Sequence, residues 1–336
     1  MSEPSKPSHK LDLPRRPRRN RRSEVIRGLV RESSLGVEDL IYPLFIHAGG
    51  QDEEIVSMPG CTRWSLDGLL GEIEEASALG VRALVLFPAI DESLKTPRAE
   101  EAWNPSGLIP GALERIRAEF PDMVLVTDVA LDPYNSDGHD GVVGPDERIL
   151  NDVTVEILCN QALSHARAGA DVVAPSDMMD GRVGAIRAAL DTENFEDVSI
   201  LAYTAKYASA FYGPFRGALE SAPKSGDKKT YQMDPANLRE ALREAKLDTA
   251  EGPDILMVKP AGPYLDVIRR LRDECTLPLA AYQVSGEYLM IKAAAARGWL
   301  DEDRIIRETL IGIRRAGADM ILTYFAKQAA SLLQSP

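Results

Sequence analysis

Two lysines stand where lysine is rarely found. Lys206 lies in Ser199-Ile-Leu-Ala-Tyr-Thr-Ala-Lys-Tyr-Ala-Ser-Ala-Phe-Tyr-Gly-Pro-Phe-Arg216, past an apolar run and with no acidic neighbour. Lys259 closes a second run, Asp254-Ile-Leu-Met-Val-Lys-Pro260. Most lysines sit in water. One that loses its water holds its proton less tightly, and the free amine can condense with a ketone. A strand-end lysine can instead snorkel to solvent, and either run alone allows both readings. Together they favour the amine chemistry, because two close ammonium groups disfavour each other's charge.

Carboxylates gather nearby in the chain. Asp128-Val-Ala-Leu-Asp132 ends another apolar run, and strand alternation turns Asp128, Ala130 and Asp132 the same way. The following loop adds Asp137, His139 and Asp140. Loop aspartates commonly cap turns. Beside two amines they would serve as acids and bases or as hard oxygen ligands. An EF-hand is excluded, because Pro133 takes its first ligand position and Gly144 its twelfth. Ser176, Ser285 and Tyr324 end further apolar runs. Ser285-Gly286 reads equally as a helix cap or as hydroxyl and amide donors for a carboxylate. Tyr324 reads as a packed ring or a ligand contact.

These residues need a frame. Eight short apolar runs recur: Ile41–Ile46, Ala83–Pro88, Met123–Leu131, Ala170–Ser176, Ser199–Tyr203, Asp254–Pro260, Leu277–Ser285 and Met320–Phe325. Near-continuous apolar runs suit parallel strands covered on both faces. Amphipathic stretches alternate with them, at Leu66–Leu79, Ile109–Phe120, Asn151–Ala168, Gly184–Leu190, Asn237–Ala250 and Tyr264–Cys275. Gly80, Gly169 and Gly317 stand where helices would end. Eight strand–helix units in under 300 residues predict an α/β fold, a (β/α)8 TIM barrel with its functional groups at the carboxyl ends of the strands. A doubly wound sheet is the alternative, but no G-x-G-x-x-G follows the first strand.

Bulk properties narrow the function. The chain has 336 residues, 44% hydrophobic, and a formal charge of −13. Neither nucleic acid nor an anionic membrane suits such a charge. Cys61, Cys159 and Cys275 are widely spaced, which argues against disulfides and a cysteine-rich zinc site and suits a reducing cytosol. Residues 1–10 are polar and lack the apolar core of a secretory signal, so a cytoplasmic protein is expected. No run of about 18 apolar residues occurs, so no membrane span is expected. Lys10, Arg15, Arg16, Arg18, Arg19, Arg21 and Arg22 stand apart from this acidic body. We read residues 1–35 as an arm that docks on an acidic neighbouring subunit or, alternatively, binds nucleic acid, and residues 36–336 as the barrel.

Several long motifs carry a resemblance. They are Ala174-Pro-Ser-Asp-Met-Met-Asp-Gly-Arg182, the Lys206 stretch through Arg216, Tyr231-Gln-Met-Asp-Pro-Ala-Asn237, Met257-Val-Lys-Pro260, Tyr282-Gln-Val-Ser-Gly-Glu-Tyr288 and Leu322-Thr-Tyr-Phe-Ala326. In this order they resemble the porphobilinogen synthase family, also called 5-aminolevulinic acid dehydratase, from Arg18 to Ala330. The resemblance implies a lyase of tetrapyrrole biosynthesis that joins two 5-aminolevulinate molecules into porphobilinogen. It implies a Schiff base on Lys259 for the molecule that becomes the propionate side, and one on Lys206 for the other. Ser285 and Tyr324 would hold the first carboxylate. Arg216, Gln232 and a lid lysine, Lys228 or Lys229, would hold the second. Phe87 and Tyr212 would wall the first subsite, and Ser176 would line the second. The rival chemistry is a class I aldolase on a sugar phosphate, which needs one such lysine.

One departure bears on the metal. Zinc-dependent members carry three cysteines where this chain has Ala130, Asp132 and Asp140. Carboxylate oxygens suit Mg2+, so no zinc is expected. The resemblance then implies the aspartate-type branch, with Asp128, Asp132 and Asp140 as Mg2+ ligands or acid–base groups. Glu244 matches a second, allosteric Mg2+ position, and a monovalent cation is left open. The family assembles as homo-octamers of arm-exchanging dimers.

Overall fold

A computed structural model describes residues 13–219, 221 and 223–334. Ten strands form: β1 (Leu40–His47), β2 (Glu53–Glu54), β3 (Thr62–Trp64), β4 (Ala83–Ala89), β5 (Val124–Val129), β6 (Val172–Pro175), β7 (Ser199–Lys206), β8 (Ile255–Lys259), β9 (Leu279–Gln283) and β10 (Met320–Thr323). β1 and β4 to β10 pair in parallel in chain order, and β10 returns to β1 through Leu40↔Ile321 and Ile41↔Leu322. The closed result is a (β/α)8 barrel, and each of its strands falls within or overlaps one expected run. β2 and β3 are an addition, an antiparallel pair attached to β1.

Helices fall between the strands as expected, for example Leu66–Ala78, Leu108–Glu119, Asn151–Arg167, Arg239–Glu251 and Leu265–Glu274. Gly80 and Gly169 take φ of +84° and +101° past their helices, which a Cβ would disfavour. The interior is packed rather than open. Phe45, Phe87, Tyr203 and Tyr282 are almost wholly buried. Phe87 meets Phe215 edge-on at 5.1 Å and stacks with Tyr282 at 6.2 Å.

An irregularity in one strand decides which way a lysine faces. β7 and β8 run in register as Leu201↔Ile255 and Ala202↔Leu256, then resume as Ala205↔Val258 and Lys206↔Lys259. β7 thus spends three steps where β8 spends two, a β-bulge. An unbroken strand would put Ala205 and not Lys206 on the face of Tyr203. The extra residue puts Lys206 on the face that also carries Lys259.

The chain divides into two units, Met1–Ser34 and Leu35–Pro336. In the first, Pro17–Arg21 forms a 3-10 turn and Glu24–Leu29 a helix. Ser23 Oγ caps that helix by accepting from the Ile26 N–H at 3.3 Å. The helix buries none of its residues, and Val25 and Leu29 are exposed. Residues 1–12, Lys10 and the segment read for a secretory signal among them, lie outside the described residues. Among those described, no helix is long and apolar enough to cross a membrane.

Candidate active site

Strand ends and the loops beyond them deliver polar groups into one pocket at the carboxyl face of the barrel. β4 supplies Phe87, β5 Asp128, β7 Lys206 and β8 Lys259, while the loop after β5 supplies Asp132 and Asp140. Ser176 follows β6, and Tyr212, Phe215, Arg216, Lys228 and Gln232 come from the segment between β7 and β8. The sequence reading did not single out Phe215. Its signal was its position three residues beyond Tyr212 in a short helix.

Both lysines are 5% exposed, yet their surroundings differ. Lys259 Nζ sits over four rings, 4.6 Å from Tyr282, 5.1 Å from Phe215 and 5.2 Å from Tyr203 and Tyr212. Burial, then the neighbouring Lys206 charge, pushes its ammonium down to about 7, against the pull of Asp128, Asp132 and Asp140. The Tyr212 hydroxyl donates to the Lys259 carbonyl at 3.0 Å and steadies that strand end. Lys206 Nζ instead donates to Asp140 Oδ1 at 2.9 Å and to the Ser176 carbonyl.

Asp140 is the hub of the polar side. It takes Lys206, Lys228 Nζ at 2.6 Å and the Tyr231 hydroxyl at 2.8 Å. Burial pushes its carboxyl up, but the two ammonium groups overcome this and hold it well below the usual carboxylate range. Lys228 also reaches Asp132 at 3.2 Å. Burial pulls the Lys228 ammonium down, and Asp132 and Asp140 more than reverse it. Asp128 has no such partner on Oδ1. Burial pushes its carboxyl up to about 7, helped by Asp132 and opposed by Lys259 and Lys206.

The structure separates the two lid lysines. Lys228 is buried in the pocket, whereas the Lys229 side chain is 74% exposed and pairs with Asp227 at 3.4 Å. Ser285 and Tyr324 do not line the pocket. Ser285 Oγ is wholly buried, donating to the Phe211 carbonyl at 3.3 Å and accepting from the Phe215 N–H at 3.1 Å. The Tyr324 hydroxyl meets that of Tyr282 at 2.8 Å. Both therefore adjoin the rings around Lys259, one layer back. Tyr231, a partner of Asp140 that sequence reasoning missed, adjoins Gln232 in its motif. Its hydroxyl also meets His139 Nδ1 at 3.2 Å, while His139 Nε2 meets the Ser225 carbonyl at 3.0 Å.

The metal expectation meets a different arrangement. Among the described residues, no group of three His, Cys, Asp or Glu side chains is set to hold an ion. Asp132 and Asp140 already face ammonium groups. Glu244 lies in a separate cleft with Glu147, Asp180 and Glu240. Burial, then Asp248, pushes its carboxyl up. Cys61, Cys159 and Cys275 are free thiols.

Comparison with known proteins gives the family. The delta-aminolevulinic acid dehydratase family profile matches residues 14–332. A delta-aminolevulinic acid dehydratase from Physcomitrium patens is 61% identical over 325 residues, 96% of this chain and 75% of its own length. One from Oryza sativa subsp. japonica is 60% identical, covering 96% and 76%. The crystal structure of the Toxoplasma gondii delta-aminolevulinic acid dehydratase (porphobilinogen synthase), in complex with the reaction product porphobilinogen, superposes with a TM-score of 0.95. It is 55% identical and covers 96% of this chain and 92% of its own. Both plant relatives are named chloroplastic. That contradicts the cytoplasmic expectation, which rested on the missing secretory signal and on cysteine usage suited to a reducing cytosol. By profile, by sequence and by superposition, the chain belongs to the delta-aminolevulinic acid dehydratase family.

Proposed function

We infer that this protein is a porphobilinogen synthase, a lyase that condenses two molecules of 5-aminolevulinate to porphobilinogen. The observation that carries the mechanism is the pair of buried amines, Lys206 and Lys259, side by side in register and opening on one pocket. In our reading each amine adds to the ketone of one substrate and loses water to form an imine. Holding both molecules turns a bimolecular condensation into a local one, worth about 7 kcal/mol or more of the barrier. The Lys259 amine is prepared for attack by desolvation. Asp128, pushed up to about 7, is suited to carry a proton near neutrality.

Arg216, Gln232 and Lys228 are the groups we assign to the carboxylate of the substrate on Lys206. Phe87 and Tyr212 wall the subsite of Lys259, with Ser285 and Tyr324 behind them. A substrate carboxylate would have to displace the Phe211 and Phe215 contacts of Ser285 and the Tyr282 contact of Tyr324. An aldolase reading has lost its ground, since the family is that of a dehydratase and the pocket pairs two strand-end lysines, Lys206 and Lys259, where one would serve an aldolase.

Asp132 and Asp140, already shared with lysines, do not fit Mg2+ in the pocket. Glu244 is kept as the candidate for a regulatory Mg2+ because Glu147, Asp180 and Glu240 line the same cleft, where a cation would offset the burial and the Asp248 charge that push its carboxyl up. Assembly into octamers through the arm is likewise proposed. Its support is the exposed apolar side of Glu24–Leu29. The deciding experiment is borohydride reduction in the presence of labelled 5-aminolevulinate, followed by peptide mapping. Label on both Lys206 and Lys259 is expected, and label on neither refutes the mechanism.

A further inference from the structure

We propose that Glu287 is a positioning residue whose buried carboxylate fixes the spacing between Lys259 and Ser285, so that amine and hydroxyl can grip two ends of one substrate. The inference rests on the Schiff-base reading of Lys259. Glu287 is the third residue of the helix Ser285–Ala296. Its two oxygens face three backbone N–H donors from two separate loops. Oε2 accepts from Val284 at 2.8 Å and from Ala261 at 3.3 Å. Oε1 accepts from Gly262 at 2.7 Å. Val284 immediately precedes Ser285, and Ala261 lies two residues past Lys259. A single side chain therefore joins the turn after β8 to the turn after β9.

The strands themselves do not do this. The β8–β9 ladder runs through Leu256↔Leu279, Met257↔Ala280 and Val258↔Ala281, and stops one residue short of Lys259. Beyond that point Glu287 takes over the connection. Capping of its own helix explains the Val284 contact. It does not explain two contacts to a loop 25 and 26 residues away. The local sequence is fitted to the close approach. A Cβ on Gly262 would stand 2.6 Å from Glu287 Oε1, and one on Gly286 would stand 2.6 Å from the Phe211 carbonyl that Ser285 contacts. Burial pushes the Glu287 carboxyl up to about 7, against the opposing pull of the three N–H donors. A carboxylate has acceptor sites enough for all three donors. A glutamine has one oxygen, and its amide N–H groups would confront a backbone N–H.

The test uses the full chain, labelled 5-aminolevulinate and borohydride, with label counted at each lysine. In Glu287→Gln, label at Lys259 should fall about tenfold or more relative to Lys206, with a raised KM, because a small misplacement of reacting groups is enough for that. Gly262→Ala keeps the carboxylate but pushes it out of place, and should reproduce the selective loss. It decides the matter alone if Glu287→Gln does not fold. Equal loss at both lysines, or no loss at either, overturns the role of Glu287. An unlabelled wild type is a distinct result, which refutes the Schiff-base reading and removes the basis of this one.

Discussion

Lys206 and Lys259 end adjacent strands, pair in register and are equally buried, yet the fold prepares them by opposite means. Lys259 is set among rings, which offer an ammonium far less than water does. Lys206 is set among oxygens, with Asp140 at 2.9 Å and the Ser176 carbonyl beside it. Burial alone therefore does not decide what a lysine is ready to do, and the wall it is buried against does. A free amine at Lys259 can attack a ketone as it stands. Lys206 is instead held by its contacts to Asp140 and the Ser176 carbonyl, which a substrate must displace or share.

The largest effect should come from removing either amine. Lys259→Met and Lys206→Met should each lower turnover by about three orders of magnitude or more, since residues acting as a unit fail together. A variant keeping more than a tenth of wild-type turnover would end the two-amine reading. Next is the oxygen wall. Asp140→Asn leaves two buried ammonium groups without their shared counter-charge, and urea unfolding should show a loss of about 3 kcal/mol or more. The sign with pH follows from the direction of the shift. The carboxyl is held low in the fold, so its stabilising contribution is present above the ordinary carboxylate range and is lost on acidification through that range. A variant as stable as wild type at neutral pH would show that the ion pairs contribute nothing.

The ring wall makes a gentler prediction. With Lys259 at about 7, its borohydride labelling should rise about tenfold between roughly pH 6 and 8. Labelling of Lys259 that waits for pH near 10, as for an ordinary lysine, would show that the rings do not prepare its amine. Smaller still is the contrast between the lid lysines. Lys229→Ala removes an exposed ion pair and should leave KM within about twofold, whereas Lys228→Ala should raise it clearly. For Glu244→Ala, assays with and without Mg2+ should show stimulation lost and basal turnover kept. Stimulation equal to wild type would remove Glu244 from that role.

The barrel was legible because its strands are short apolar runs at regular intervals, and burial on both faces demands such runs. The pocket was legible where chemistry sits at a run's end, as with Lys206, Lys259 and Asp128. What composition and spacing do not carry is which groups face each other across the barrel. Lys228 and Lys229 are neighbours of identical type, and only the fold of their loop sends one inward to Asp132 and Asp140. Ser285 and Tyr324 end their runs as expected, but Ser285 is taken up by Phe211 and Phe215 and Tyr324 by Tyr282, packing outcomes without a local signal. The cytoplasmic expectation failed because residues 1–10 and the cysteine spacing carry no information about compartment beyond the absence of a secretory core.

The extra residue of β7 between Ala202 and Ala205 has a consequence for how this chain can vary in length. Excise that one surplus position and β7 becomes regular, with as many steps from Ala202 to residue 206 as from Leu256 to Lys259, so the amine still faces the interior. Excise two and the alternation turns it to the helix side, leaving a methyl group where a second imine is meant to form. This stretch should accordingly tolerate the loss of its surplus step but not the loss of one step more.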